Sequence, residues 1–122
     1  MKALSAYQNI YFIGIGGIGM SALARYFHFA GYRVEGYDKV ETPLTQTLVS
    51  EGISVHYEDL GFGLASSYQD PAQTLVVYTP AIKELEELTF FQETGFQIAK
   101  RSEVLGAISR SFQALCVAGT HG

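Results

Sequence analysis

Six residues near the start of the chain have the spacing of a phosphate-binding loop: Gly14-Ile15-Gly16-Gly17-Ile18-Gly19, hereafter the glycine loop. This G-x-G-x-x-G pattern follows an apolar run and precedes a segment with helical spacing, the context in which such loops bind a pyrophosphate. Gly14 permits a tight turn, Gly16 lets a ligand approach the main chain, and Gly19 lets the helix pack close to the sheet. The alternative is that the glycines serve only strand-to-helix packing.

The first turn of the predicted helix supplies the expected donors of this site. Backbone N–H groups in that turn have no partner within the helix, and the helix dipole adds roughly half a positive charge. Charge-assisted hydrogen bonds contribute on the order of 1.5–3 kcal/mol each, so two or three could hold a diphosphate without a lysine. The predicted anion-binding residues are therefore Gly16, Gly17, Ile18, Gly19, Met20 and Ser21.

Asp38 ends the next apolar run, 19 residues beyond Gly19, where a carboxylate can accept hydrogen bonds from ribose hydroxyls. By spacing alone this pattern is typical of a nicotinamide-dinucleotide site, so a NAD-binding domain of an oxidoreductase is one open hypothesis. The alternative for Asp38 is a solvated turn residue beside Lys39.

Composition narrows the class of protein. The chain has a net charge of −4 and only eight Lys and Arg, which argues against a nucleic-acid partner. The single Cys116 cannot form an intramolecular disulfide, which suits a reducing cytoplasm. The apolar stretch from Ile10 to Ala24 resembles a signal peptide, but its four glycines weaken a helix and it is short for a membrane span.

Short apolar runs alternate with segments of helical spacing, which predicts an α/β fold: a Rossmann-like parallel sheet of five to six strands with helices on both faces. We expect one domain over residues 1–122. The predicted strands are Ile10–Ile15, Tyr32–Asp38, Ser54–Tyr57, Thr74–Thr79, Gln97–Lys100 and Ala114–Ala118. The predicted helices start near Met20, at Pro43 after an N-cap Thr42, at Glu84, and after an N-cap Ser102 with Glu103 in its first turn. The segment Glu58–Asp70 is predicted to be a loop with one helical turn.

Several segments resemble the Mur ligase family. The run Val117-Ala118-Gly119-Thr120-His121-Gly122 is similar to the start of that family's ATP loop, and Tyr11 to Ala24 resembles the N-terminus of its alanine-adding branch. Three inner segments also fit: Gly36-Tyr37-Asp38, Val76 to Ile82, and Lys100 to Leu105. The chain departs from the family at His56-Tyr57-Glu58-Asp59, where a Gly-His pair is usual, and at Thr79-Pro80, where serine is common.

The resemblance implies that the glycine loop receives the diphosphate of UDP-N-acetylmuramate, or of UDP, instead of NAD. Asp38 would then lie near the uridine, while Thr79, Ala81 and Ile82 would offer a hydroxyl and backbone groups to the nucleotide-sugar. Arg101 could pair with a phosphate or with the lactyl carboxylate. The alternative for Arg101 is a surface arginine near a helix start.

The resemblance also implies a reaction of peptidoglycan precursor synthesis: ATP phosphorylates the lactyl carboxylate, and L-alanine attacks the acyl phosphate. Gly119, Thr120, His121 and Gly122 would be a partial ATP loop at the start of a missing central domain. The ATP-loop lysine and a Mg²⁺ site are not recognisable in this sequence. We therefore expect a cytoplasmic UDP-sugar-binding N-terminal domain with no catalytic residue, no metal, no membrane partner and no turnover alone.

Overall fold

The structure is a computed structural model that describes residues 1–82 and 84–119, with side chains up to residue 112. Five strands alternate with helices along the chain, as the sequence predicts. The strands are β1 (Asn9–Ile13), β2 (Arg33–Tyr37), β3 (Ser54–His56), β4 (Thr74–Tyr78) and β5 (Gln97–Lys100). The α-helices are α1 (Ile18–Phe29), α2 (Pro43–Ser50), α3 (Glu86–Glu93) and α4 (Arg101–Gly119), and two 3-10 helices span Leu4–Ala6 and Gly61–Ser66.

The five strands form one parallel sheet in the order β3-β2-β1-β4-β5. The chain moves outward from β1 to β3 and then returns to place β4 on the other side of β1. The strand order therefore reverses between β1 and β4, and ligands of open α/β sheets bind in the crevice at the carboxyl end of such a pair. The predicted α/β fold with a parallel sheet is confirmed.

Two hydrophobic cores cover the two faces of the sheet. On one face, Phe12 packs with Phe27 of α1, Leu48 of α2 and Val104 of α4. On the other face, Tyr11, Phe91 of α3 and Leu64 of the second 3-10 helix pack together. Because β1 alternates its side chains between these faces, it is the buried centre of the domain.

The start of α2 shows how local sequence sets the helices. The Thr42 hydroxyl accepts the amide of Thr45 at 3.1 Å, the Thr45 hydroxyl accepts the amide of Thr42 at 2.9 Å, and Pro43 occupies the first helical position. This reciprocal pair satisfies two N–H groups that the helix leaves unpaired. The predicted N-cap is confirmed, and so is a short helical turn within residues 58–70.

Two predictions about the end of the chain are wrong. The stretch predicted as a sixth strand, Ala114–Ala118, lies within α4, because a short apolar run has no periodicity that separates a strand from a helix. Ser102 is not an N-cap, since α4 begins one residue earlier at Arg101, and the Lys100 amide donates to Glu103 Oε1 at 3.1 Å. In the part of the chain that the structure describes, no helix is long and apolar enough to cross a membrane.

Candidate functional site

The glycine loop lies at the carboxyl edge of the sheet, directly after β1 and beside β4. Gly14 has a φ of +88°, a conformation that side chains disfavour, and this turns the chain sharply out of the strand. The amides of Gly14 and Ile15 donate to the carbonyl oxygen of Tyr37 at 2.8 and 3.0 Å, which fixes the turn to β2. The predicted loop between strand and helix is therefore present at the point where strand order reverses.

The N-terminus of α1 has no side-chain cap. Its N-cap is Gly17, and the structure records no acceptor among the described residues for the amides of Ile18, Gly19 and Met20. The predicted donors Gly17 and Ser21 are already used, because their amides donate to Gly14 and Gly17 carbonyl oxygens at 3.3 and 2.8 Å. The free donors of the site are thus three consecutive amides at the positive end of a 12-residue helix.

Side chains around these amides leave them open to a ligand. The Ile18 side chain is 87% exposed, whereas the Met20 and Ser21 side chains are buried, and the Ser21 hydroxyl donates to the Ile18 carbonyl oxygen at 3.0 Å. Met20 can therefore contact an anion through its backbone amide but not through its side chain. The start of α3 differs from that of α1, because a carboxylate from another segment binds its first amides. Asp59 accepts the amides of Glu86 and Glu87 at 2.7 and 2.9 Å.

Arg101 brings a positive charge to the same helix end. Its guanidinium lies against Gly19, with Cζ 3.0 Å from the position that a Cβ on Gly19 would occupy. The absent side chain of Gly19 therefore makes room for Arg101, a contact that was not predicted from the sequence. Within the described residues Arg101 makes no salt bridge. A cation against a positive helix end is unfavourable unless an anion lies between them, so this pairing favours an anionic ligand.

Asp38 lies on the other side of the glycine loop, at the end of β2. Its Oδ2 accepts the Gly16 amide at 2.7 Å, and its Oδ1 accepts the Val40 amide at 3.3 Å. A Cβ on Gly16 would lie 2.7 Å from Asp38 Oδ2 and 2.9 Å from Thr45 Cγ2. The space that the sequence assigned to a pyrophosphate at Gly16 is thus filled by two residues of the chain itself.

The β4–α3 connection forms the third side of the site. The Ile82 Cδ1 atom would be 2.7 Å from a Cβ on Gly14, so this side chain rests on the glycine loop. The Ile82 amide donates to the Thr79 carbonyl oxygen at 3.1 Å, so the backbone group that Ile82 could offer a ligand is its carbonyl oxygen. Thr79 is half-buried and Ala81 is exposed at this edge. Of the predicted ATP-loop residues, Gly119 ends α4, and Thr120, His121 and Gly122 lie outside the described residues.

A buried polar cluster under the carboxyl edge was not predicted. The Glu87 carboxylate is fully buried and accepts hydrogen bonds from the Tyr11 hydroxyl, from His56 Nε2 at 2.7 Å and from the Leu60 amide at 2.9 Å. Burial, and then the charge of Glu87, raise the pKa of Tyr11 well above its usual range. Helical spacing placed Glu87 on a helix, but no local signal showed that β1, β3 and α3 would converge there.

Comparison with known families decides the class of protein. The sequence model described as "Mur ligase family, catalytic domain" matches residues 9–113. This chain belongs to the Mur ligase family.

Curated Mur ligases are similar over almost all of the chain. A UDP-N-acetylmuramate–L-alanine ligase of Phocaeicola vulgatus is 50% identical over 120 residues, which are 98% of this chain and 26% of that protein. The enzyme of the same name from Parabacteroides distasonis is 54% identical over 114 residues, 93% of this chain and 25% of that protein. The chain thus spans about a quarter of the length of these relatives.

Solved Mur ligase structures share the fold. The UDP-N-acetylmuramate-alanine ligase of Thermotoga maritima superposes with a TM-score of 0.70 at 30% identity, over 84% of this chain and 23% of that chain. A UDP-N-acetylmuramate:L-alanyl-gamma-D-glutamyl-meso-diaminopimelate ligase from Neisseria meningitides gives 0.64 at 26% identity, over 79% and 29%. Membership in the Mur ligase family argues against the hypothesis of a NAD-dependent oxidoreductase.

Proposed function

We propose that this Mur ligase domain binds UDP-N-acetylmuramate and serves as the substrate domain of a ligase that joins L-alanine to it. The observation that carries the proposal is the uncapped start of α1, where the Arg101 guanidinium packs against Gly19 beside three amides that have no acceptor among the described residues. The names of the relatives, at about half identity over nearly the whole chain, supply the substrate.

The start of α1 and the adjacent Arg101 guanidinium suit a diphosphate on electrostatic grounds. The amides of Ile18, Gly19 and Met20 would donate to the diphosphate, and the planar guanidinium beside them would offer it paired N–H groups. This local positive potential is compatible with a chain of net charge −4, because backbone dipoles do not count in the formal charge. The exposed Ile18 side chain would cover the bound diphosphate and limit its contact with water.

The rest of the nucleotide-sugar would extend to both sides of the diphosphate. Asp38 and the end of β2 flank the direction proposed for the uridine. Thr79 and Ala81, after β4, flank the sugar, and an alternative partner for Arg101 is the lactyl carboxylate. The strand order supports this arrangement, since it sets β2 and β4 on opposite sides of β1.

The proposed full-length reaction has two balanced steps. A lactyl carboxylate oxygen attacks the γ-phosphorus of ATP, which yields an acyl phosphate and ADP. The amine of L-alanine then attacks the acyl carbon, so that phosphate leaves, an amide forms and the amine loses a proton. In the described residues no group of three His, Cys, Asp or Glu could hold a metal ion. We propose that this chain alone binds the nucleotide-sugar without turnover.

Calorimetry on the 122-residue chain tests the proposed function. We expect UDP-N-acetylmuramate and UDP to bind at one site and NADH to give no heat of binding. UDP should bind more weakly than the nucleotide-sugar, since it lacks the group that Thr79 and Ala81 would contact. A preference for NADH, or no binding of either uridine nucleotide, would contradict the proposal.

A further inference from the structure

Both oxygens of the Asp38 carboxylate accept hydrogen bonds from backbone amides. One oxygen accepts the Gly16 amide at 2.7 Å, and the other accepts the Val40 amide at 3.3 Å. The shorter bond has the length of a charge-assisted hydrogen bond, which is roughly twice as strong as a neutral one. Asp38 therefore ties the glycine loop after β1 to the connection between β2 and α2.

The surroundings of Gly16 are built to keep this bond. Thr45 is fully buried, and its methyl group lies 2.9 Å from the position of a Cβ on Gly16. Its hydroxyl accepts the Tyr57 hydroxyl at 2.9 Å and donates to the Thr42 carbonyl oxygen at 2.9 Å. Since the Asp38 carboxylate and the Thr45 hydroxyl are both hydrogen-bonded, they hold Gly16 in one arrangement.

We propose that Asp38 is a positioning residue that acts on the ligand through Gly16, and not through ribose hydroxyls. A loop with four glycines loses much conformational entropy when it is ordered, and a loop held in place before binding no longer pays that cost at binding. With Gly16 held by Asp38, the next amides, those of Ile18, Gly19 and Met20, already point out of the first turn of α1. This inference rests on the proposed UDP-sugar site.

The two roles of Asp38 differ in which ligands should respond to its loss. If Asp38 contacts the ribose, its loss should weaken only the binding of nucleotides that carry ribose hydroxyls. If Asp38 positions Gly16, its loss should weaken the binding of any nucleoside diphosphate at the glycine loop. The test measures the affinity of UDP and of 2′,3′-dideoxy-UDP for the wild-type chain, Asp38→Ala and Asp38→Asn. The asparagine oxygen can still accept the Gly16 amide, so this variant loses the charge and only the weaker bond to Val40.

We expect Asp38→Ala to lower the affinity for both nucleotides by the same factor, about tenfold or more, because a hydrogen bond to a charged group is lost in each case. Asp38→Asn should recover most of that loss for both nucleotides. A matched control is Asp70→Ala, whose carboxylate also accepts a backbone amide, from Ala72 at 3.0 Å, but before β4, away from the carboxyl edge. This control should leave both affinities unchanged.

The outcomes separate the inference from the function on which it rests. A loss in Asp38→Ala that appears with UDP and vanishes with the dideoxy nucleotide would overturn the positioning role while leaving the site intact. Failure of wild-type chain to bind the dideoxy nucleotide would have the same meaning, since the hydroxyls would then carry the affinity. Absence of UDP and UDP-N-acetylmuramate binding to the wild-type chain would instead overturn the proposed function. If Asp38→Ala is unfolded in thermal melts, Asp38→Asn decides alone: unequal losses for the two nucleotides contradict the inference.

Discussion

The guanidinium of Arg101 fills the space that a side chain on Gly19 would need, with Cζ 3.0 Å from the position of that Cβ. Arg101 is the first residue of α4, after the edge strand β5, and Gly19 lies in the first turn of α1. The arginine therefore reaches over the end of β4 to place a cation beside three free amides. A glycine and an arginine far apart in sequence form one half of the proposed diphosphate site.

Replacing Gly19 by alanine should weaken UDP-N-acetylmuramate binding without unfolding the domain. The new Cβ displaces Arg101, whose long side chain can swing away, and alanine is more favourable than glycine in a helix by up to about 1 kcal/mol. We expect about a tenfold loss of affinity by calorimetry, the size of one charged hydrogen bond, and an unchanged or higher melting temperature. Gly106→Ala is the matched control, because its Cβ would also meet an arginine end, 3.3 Å from Arg110 Nη1, at another place on α4. Equal affinities of Gly19→Ala and the wild-type chain would mean that Arg101 does not act from this position.

Substitution of Arg101 should change both the affinity and its dependence on salt. Arg101→Gln removes the charge, so binding of UDP-N-acetylmuramate should fall by more than about tenfold and should respond less to added salt. Arg101→Lys keeps a charge but loses the planar pair of donors, so an intermediate affinity is expected. Arg110→Gln, at an exposed arginine on the same helix, serves as the control. A Gln variant with the wild-type salt dependence would show that no anion contacts Arg101.

Loss of the Glu87 carboxylate should destabilise the whole domain. Glu87→Ala removes a fully buried carboxylate that accepts hydrogen bonds from the buried Tyr11 hydroxyl, from His56 Nε2 and from the Leu60 amide. We expect the free energy of unfolding in urea to fall by on the order of 3 kcal/mol. Glu93→Ala, at an exposed glutamate that ends α3, should cost far less. Similar losses in the two variants would contradict the assignment of a buried network to Glu87.

Alkaline solution should destabilise the domain through its buried tyrosines. Burial, and then the charge of Glu35, raise the pKa of Tyr68 above its usual range, so its proton stays on in the folded state. In the unfolded chain a tyrosine loses its proton near pH 10, so stability is intact below that pH and falls as pH rises above it. The slope should be about 1.4 kcal/mol per pH unit for each such tyrosine. The free energy of unfolding of Tyr68→Phe, measured in urea, should therefore fall less steeply with pH above about pH 10. Tyr26→Phe, at an exposed tyrosine, is the control. If the free energy of unfolding falls with pH at the same rate in Tyr68→Phe and in the wild-type chain, burial of Tyr68 is not the cause.

Local patterns were sufficient for much of the fold and for the position of the glycine loop. Alternating apolar runs predicted the five observed strands, and Thr42 with Pro43 predicted the start of α2, because both are short-range effects of packing and capping. The apolar run Ala114–Ala118 was predicted as a strand and lies in α4. That error has a local cause, because a short apolar run is compatible with both a strand and part of a helix.

Contacts between distant segments could not be predicted in the same way. The sequence placed Arg101 after a strand and Asp38 at the end of another, which located both at the correct edge of the sheet. It did not show that Arg101 would rest on Gly19, that Asp38 would hold Gly16, or that Glu87 would meet Tyr11 and His56. These contacts depend on the order β3-β2-β1-β4-β5 and on side-chain reach across it, which no local spacing encodes.

The most direct test of the account is a crystal structure of the 122-residue chain with UDP-N-acetylmuramate bound. We predict that diphosphate oxygens lie within hydrogen-bond distance of the amides of Ile18, Gly19 or Met20, and that the Arg101 guanidinium contacts the same group. A diphosphate bound away from the start of α1, with these amides facing only water, would contradict it.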